Sequence, residues 1–137
     1  MPSPELIHDS PMTRLFWICL GGAAGTAARY GIGVWATGRF GGLLPIGTIL
    51  VNLIGCFAIA LTMHVATAFE WSATTRMALT IGVLGGFTTY SSFNYETSRL
   101  LLEGAVGTAG VNMLITMVGG LAAGWVGLLG ARLIVGH

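Results

Sequence analysis

Four long stretches of this sequence carry no charged side chain: 15–28, 40–69, 77–95 and 104–131. A helix needs about 20 apolar residues to cross the roughly 30 Å hydrocarbon core of a bilayer. The second and fourth stretches meet that length alone. The third is just sufficient, and the first reaches it once Arg29 is admitted. None shows the ten-residue alternation of a membrane β-barrel. The runs predict an all-α integral membrane protein with four transmembrane helices, at about 14–37, 46–68, 76–100 and 107–133.

The charge count leads to the same class. Only 11 side chains are charged, six Arg and five Asp or Glu with no Lys, and the mean hydropathy is +0.81. A soluble domain carries about a quarter charged residues. Six scattered arginines build no basic face for a phosphate backbone, so nucleic acid is excluded and the lipid bilayer is the expected surrounding. Connections near 38–45, 69–76 and 101–107 leave no room for a soluble domain. Residues 1–13, with Glu5, Asp9, Pro2, Pro4 and Pro11, read as a short polar tail. They lack the positive start of a signal peptide, and the first apolar run is too long for one. Cys19 and Cys56 fall inside predicted spans and read as packing residues. The sequence has no HExxH, no Cys/His cluster at metal spacing and no convergent Ser-His-Asp set, so it does not read as an enzyme.

The arginines declare no orientation. With four spans, Arg14, Arg76 and Arg132 share one side of the membrane, while Arg39 and Arg99 lie on the other, joined by Arg29 if it leans that way. A chain without this bias inserts both ways unless a partner or another factor orients it, and opposite copies can pair as an antiparallel dimer. Small-xxx-small spacing at Gly21/Gly25, Gly82/Gly86 and Gly120/Gly124 allows close helix approach and favours oligomerisation. Three of the four Trp lie near predicted span ends, as an aromatic belt requires, and His64 reads as interfacial.

The third span is the informative one. From Gly82 to Glu96 it reads GVLGGFTTYSSFNYE, the most polar stretch of any span, and the centre of its uncharged run is residue 86. Gly85-Gly86 followed by Thr88-Thr89 therefore falls near the midplane. Each glycine weakens a helix by about 1 kcal/mol, and β-branched Thr adds strain. A break there frees carbonyls that lipid cannot satisfy, and broken helices at the midplane recur as ion-holding devices. The alternative is an unbroken helix in which Gly85 and Gly86 serve close packing and the hydroxyls bond back to their own turn. Ser92, Glu96, Arg99 and Glu103 share one helix face, on which Arg99 can pair with either Glu. Asn52 and Asn112 stand in other spans, each open to an interhelical hydrogen bond or a ligand contact. Arg29 reads equally as a snorkelling interfacial residue and as an attractor of anions.

Hydroxyls, amides and ring edges with almost no fixed charge suit a small ion that exchanges water for hydrogen bonds. The positive edges of Tyr90 and Phe93 could face an anion. Carbonyls near Gly85–Thr88 suit a cation, so the chemistry alone leaves the ion open.

Three segments resemble the signatures of the Fluc/CrcB fluoride channels, in the family's order and spacing. They are Gly22-Ala23-Ala24-Gly25-Thr26-Ala27-Ala28-Arg29-Tyr30, the stretch from Pro45 through Asn52 to Gly55, and Gly85-Gly86-Phe87-Thr88-Thr89-Tyr90-Ser91-Ser92-Phe93-Asn94-Tyr95-Glu96. The resemblance implies a fluoride-selective passive channel that exports fluoride and relieves its toxicity in the cytoplasm of a bacterial cell, seated in the inner (plasma) membrane. It also implies a dual-topology antiparallel homodimer with two pores and a structural sodium ion at its centre. Carried over by residue, the sodium ligands are the carbonyls of Gly85 and Thr88. Tyr90 and Phe93 face fluoride, Ser91 and Ser92 flank them, and Asn52 supplies an amide. Arg29 and Glu96 take structural or vestibule places.

This chain departs from the family pattern at three positions. Tyr90 stands where Phe is usual, Ser92 where Thr is usual, and Asn94 where a small residue is usual. A proton-coupled multidrug exporter of similar size needs a carboxylate in its first helix, where this chain has only Arg29. A non-transporting scaffold would use the glycines but not the polar break.

Overall fold

The computed structural model describes residues 10–136 and is all-helical, with no strand among them. It contains four helices, the third in two pieces. Helix α1 spans Pro11–Phe40. Ser10 caps it, its hydroxyl accepting the Thr13 N–H at 3.1 Å, and Pro11 sits where a missing N–H costs nothing. It stops at Gly41, whose φ of 49° suits glycine. The helix is therefore three residues longer at each end than the apolar pattern alone suggests, because caps and not hydropathy end it. It takes in 11–13 of the expected tail; residues 1–9 of that tail lie outside the described residues.

Helix α2 spans Ile46–Ala68. Ser72 then caps α3 (73–87), accepting the Thr75 N–H at 3.1 Å. Within α3 the turns widen to a π-helix over Ala78–Leu84 before closing at Gly85–Phe87. After two extended residues, Thr88 and Thr89, α4 runs over Tyr90–Leu102. Helix α5 covers Val106–Val135, with a second π-helical stretch at Ile115–Gly119. Two helices, α2 and α5, are long and apolar enough to cross a membrane by length and composition. α1 is long enough but carries Arg14, Arg29 and Arg39, and the third helix is broken and polar.

Backbone contact between helices holds the bundle together. A Cβ on Gly21 would lie 2.6 Å from the Ala78 carbonyl, and one on Gly82 would lie 2.7 Å from that of Ile18. One on Gly86 would meet the Gly22 carbonyl at 2.5 Å, and one on Gly25 would strike the Val83 carbonyl. Thus Gly21/Gly25 and Gly82/Gly86 form one seam between α1 and α3. Gly120 and Gly124 both face Cys56 of α2, and Gly127 meets the Phe57 carbonyl. All three small-xxx-small pairs are used within the chain, so they give no argument for association between copies.

The buried core is small: Ala36, Ile49, Val51, Ala66, Phe87, Phe93, Leu100, Ala109 and Ala131, with Thr89, Thr97 and Asn112 as its polar members. Met12, Leu20, Val34, Leu114, Leu121 and Leu133 all point outward. Apolar exposure on that scale marks a surface made for lipid or a partner.

Candidate functional site: the broken third helix

The break is a consequence of hydrogen bonding. In an unbroken helix the Thr89 N–H would bond the Gly85 carbonyl, and the Ser92 N–H would bond that of Thr88. Here the Thr89 N–H donates to Asn52 Oδ1 at 2.8 Å, and the Ser92 N–H donates to Thr89 Oγ1 at 3.1 Å. Asn52 Nδ2 completes the link by donating to the Thr89 carbonyl at 3.0 Å. One side-chain amide from α2 thus takes the place of the missing helical turn, and Thr89 serves as the cap of α4. Side chains have captured the amides that Gly85 and Thr88 would have used.

The glycines are not where the chain breaks. Gly85 has φ −64° and ψ −38°, ordinary helical values, while Thr88 is extended at φ −87° and ψ 160°. Gly86 accepts the approach of α1, and Thr26 Oγ1 reaches its carbonyl at 3.5 Å. The structure combines both readings of this segment. Gly86 packs closely, and the interruption falls two to three residues later at the two threonines.

The residues singled out from the sequence fall into two neighbourhoods. Asn52, Gly85, Thr88, Tyr90 and Phe93 line one cavity of about 380 Å³, together with Cys56 and Thr116. The Tyr90 and Phe93 rings are 5.7 Å apart between centroids and inclined by 52°. Phe93 is the fixed member, at 7% exposure, and Tyr90 the outer one, at 78%. Ser91, Ser92 and Glu96 line a second cavity of about 680 Å³ that Arg99 also borders. Arg29, half-buried on α1, lines neither cavity, and Asn94 is exposed.

The hydroxyls beside the break are ordered. Thr89 Oγ1 donates to Ser92 Oγ at 3.0 Å, which leaves the Ser92 proton free to donate onward. Ser91 Oγ lies 3.3 Å from the same Thr89 oxygen. Asn52 also keeps one amide hydrogen beyond the one given to the Thr89 carbonyl. Residues that keep an uncommitted donor thus line both cavities.

Glu96 is tied to α2, its Oε1 accepting from Thr48 Oγ1 at 2.8 Å. Its other oxygen is buried without a protein donor. Of the two pairings open to Arg99, the structure takes Glu103, at 3.7 Å on an exposed face. Asn112 makes an interhelical hydrogen bond, its Nδ2 donating to Thr97 Oγ1 at 2.9 Å. Thr116 escaped the sequence reading. It lines the aromatic cavity with a buried hydroxyl that meets no protein partner, and the available signal was its position four residues after Asn112, on the same helix face.

The carbonyl pair fits a hard cation, because backbone oxygens released from helical bonding are neutral donors of the kind such ions prefer. No group of three His, Cys, Asp or Glu side chains comes together among the described residues.

The family model described as CrcB-like protein, Camphor Resistance (CrcB), matches residues 16–128. The chain is 48% identical over 125 residues to a fluoride-specific ion channel FluC of Sorangium cellulosum, covering 90% of this chain and 98% of that one. It is 44% identical over 126 residues to a protein of the same name from Anaeromyxobacter dehalogenans, covering 91% and 100%. Against the Acidobacterium capsulatum protein of that name, identity is 39% over 123 residues, covering 89% and 98%. The match runs through every helix and across the break, and the chain belongs to the CrcB family.

Proposed function

We propose that this chain is a fluoride-selective passive channel of the bacterial inner membrane that lets fluoride leave the cytoplasm and so reduces its toxicity. The observation that carries this reading is the broken third helix. An aromatic pair, ordered hydroxyls and an amide converge there in a chain similar over nine-tenths of its length to relatives named fluoride-specific ion channels. The chain is a conduit and not an enzyme.

Selectivity follows from a weak neutral field. Fluoride is the smallest halide and the hardest to dehydrate, so a pathway must replace its water shell with many short hydrogen bonds. Ser91, Ser92 and Asn52 supply O–H and N–H donors, while Tyr90 and Phe93 offer positive ring edges. No charged side chain lines the aromatic cavity among the described residues; Arg99 borders only the cavity of Ser91 and Ser92. Glu96 and Arg29 keep structural or vestibule places.

The carbonyls of Gly85 and Thr88 are the donors for a structural sodium ion, which would pin the break in place. Two carbonyls do not surround a cation. A second copy in antiparallel orientation doubles the set, and the even division of arginines across the membrane supports such a homodimer. In it α1, α2, the broken third helix and α5 each span the bilayer. The exposed apolar side chains then meet lipid or the second copy.

The test is anion release from proteoliposomes, with fluoride and chloride measured side by side and a pH gradient as the control for proton coupling. Fluoride release without chloride release, independent of the gradient, is the expected result. Equal release of both anions would remove the selectivity claim, and dependence on the gradient would favour an exporter.

A further inference from the structure

Helix α4 carries the aromatic pair, and the break uncouples it from α3, so its placement depends on ties to its neighbours. On the α2 side these ties are Asn52 to Thr89 and Thr48 to Glu96. On the α5 side there is a relay. Asn112 Nδ2 donates to Thr97 Oγ1 at 2.9 Å, and Thr97 Oγ1 donates to the Phe93 carbonyl at 2.7 Å. The order of donors is forced. An amide N–H can only donate, so the Thr97 oxygen is the acceptor and its single proton must go elsewhere. It goes to Phe93.

From this relay we infer that Asn112 is a positioning residue for the Phe93 ring, acting through Thr97. Asn112 is fully buried at 0% exposure, and this is the hydrogen bond its side chain makes to the protein. A leucine has the same branched heavy-atom skeleton with no polar atom to bury. The amide therefore contributes direction, not bulk: it holds the Thr97 hydroxyl in the rotamer that reaches back one turn. Such back-bonding from Thr to the preceding turn bends helices, and here it ends on the residue that carries the ring. The contact with α4 is made by the first part of α5, Val106–Leu114, which carries Asn112.

This inference rests on the fluoride-channel reading, and its test separates the two. Fluoride and chloride release are first measured on the unaltered chain; indiscriminate release there would remove the channel reading itself. Then Asn112→Leu, Thr97→Val and the double variant are compared, with Thr97→Ser, which keeps the hydroxyl, as the conservative rescue. Each single change is expected to slow fluoride release about tenfold, with the double variant no slower than either single, as members of one relay behave. Thr97→Ser should recover most of the rate. A fluorinated phenylalanine placed at 93 gives the second readout, because its fluorine resonance should shift in Asn112→Leu. Wild-type rates with an unmoved resonance would overturn the inference, and so would strictly additive losses. Should Asn112→Leu fail to assemble, the contrast between Thr97→Val and Thr97→Ser decides by the same criteria.

Discussion

Asn52 and Thr89 exchange two hydrogen bonds across 37 residues of sequence: the amide oxygen accepts the Thr89 N–H at 2.8 Å, and the amide nitrogen donates to the Thr89 carbonyl at 3.0 Å. The side chain imitates a strand partner for one residue. It satisfies both backbone groups of the residue at which the third helix stops, and so makes the break tolerable where water is scarce.

Replacing Asn52 with Leu should therefore cost stability more than its half-buried position suggests. Both Thr89 groups lose their partner at once, at about 1–3 kcal/mol each. Asn52→Asp keeps the acceptor for the Thr89 N–H but removes the donor to the carbonyl, and should fall between Leu and wild type. Thermal unfolding in detergent orders the three. A Leu variant as stable as wild type would show that the break holds itself.

Glycines of one helix should differ by their surroundings. Gly25→Ala drives a methyl into the Val83 carbonyl, whereas Gly31 has nothing within 4 Å. The first change should destabilise by about 1–3 kcal/mol through overpacking. The second should be neutral or stabilising by up to about 1 kcal/mol, since alanine favours helix. Parallel melting curves check the pair, and equal effects would argue against a tight α1–α3 seam.

In the aromatic pair the buried ring should matter more. Phe93→Ile should abolish or strongly slow fluoride release while the protein still assembles, because the ring edge disappears from a fixed position. Tyr90→Ile should reduce release less, as Tyr90 is 78% exposed against 7% for Phe93. Fluoride-electrode traces from proteoliposomes give both rates. The reverse order would reassign the principal contact to Tyr90.

Replacing sodium in every buffer with a bulky organic cation should lower fluoride release without admitting chloride. The proposed ion would be held by the carbonyl oxygens of Gly85 and Thr88, whereas the proposed pathway groups are O–H and N–H donors and ring edges. Unchanged release, with unchanged melting temperature, would count against a structural cation at these carbonyls.

The sequence made an interrupted third helix foreseeable, because glycine, threonine and serine crowd the middle of an otherwise apolar run. It pointed two or three residues too early. Gly85 and Gly86 weaken a helix in isolation yet both stay helical, and Gly86 is glycine because the Gly22 carbonyl lies where its Cβ would be. Small-xxx-small spacing was equally visible, but not which partner it served. Asn112 was recognisable as an interhelical residue; that its partner is Thr97, and that the relay ends on Phe93, was not.

The sequence by itself determined the helical, apolar class of this chain, because helix length and the cost of burying charge are local quantities that a run of residues carries with it. It also placed the aromatic and hydroxyl residues on one short segment. Only the tertiary structure decided which carbonyls are released from the helix and which glycines pack. Those outcomes depend on an amide of α2 and a backbone of α1 arriving at the third helix, and hydrogen bonds between distant segments leave no periodic trace in the sequence.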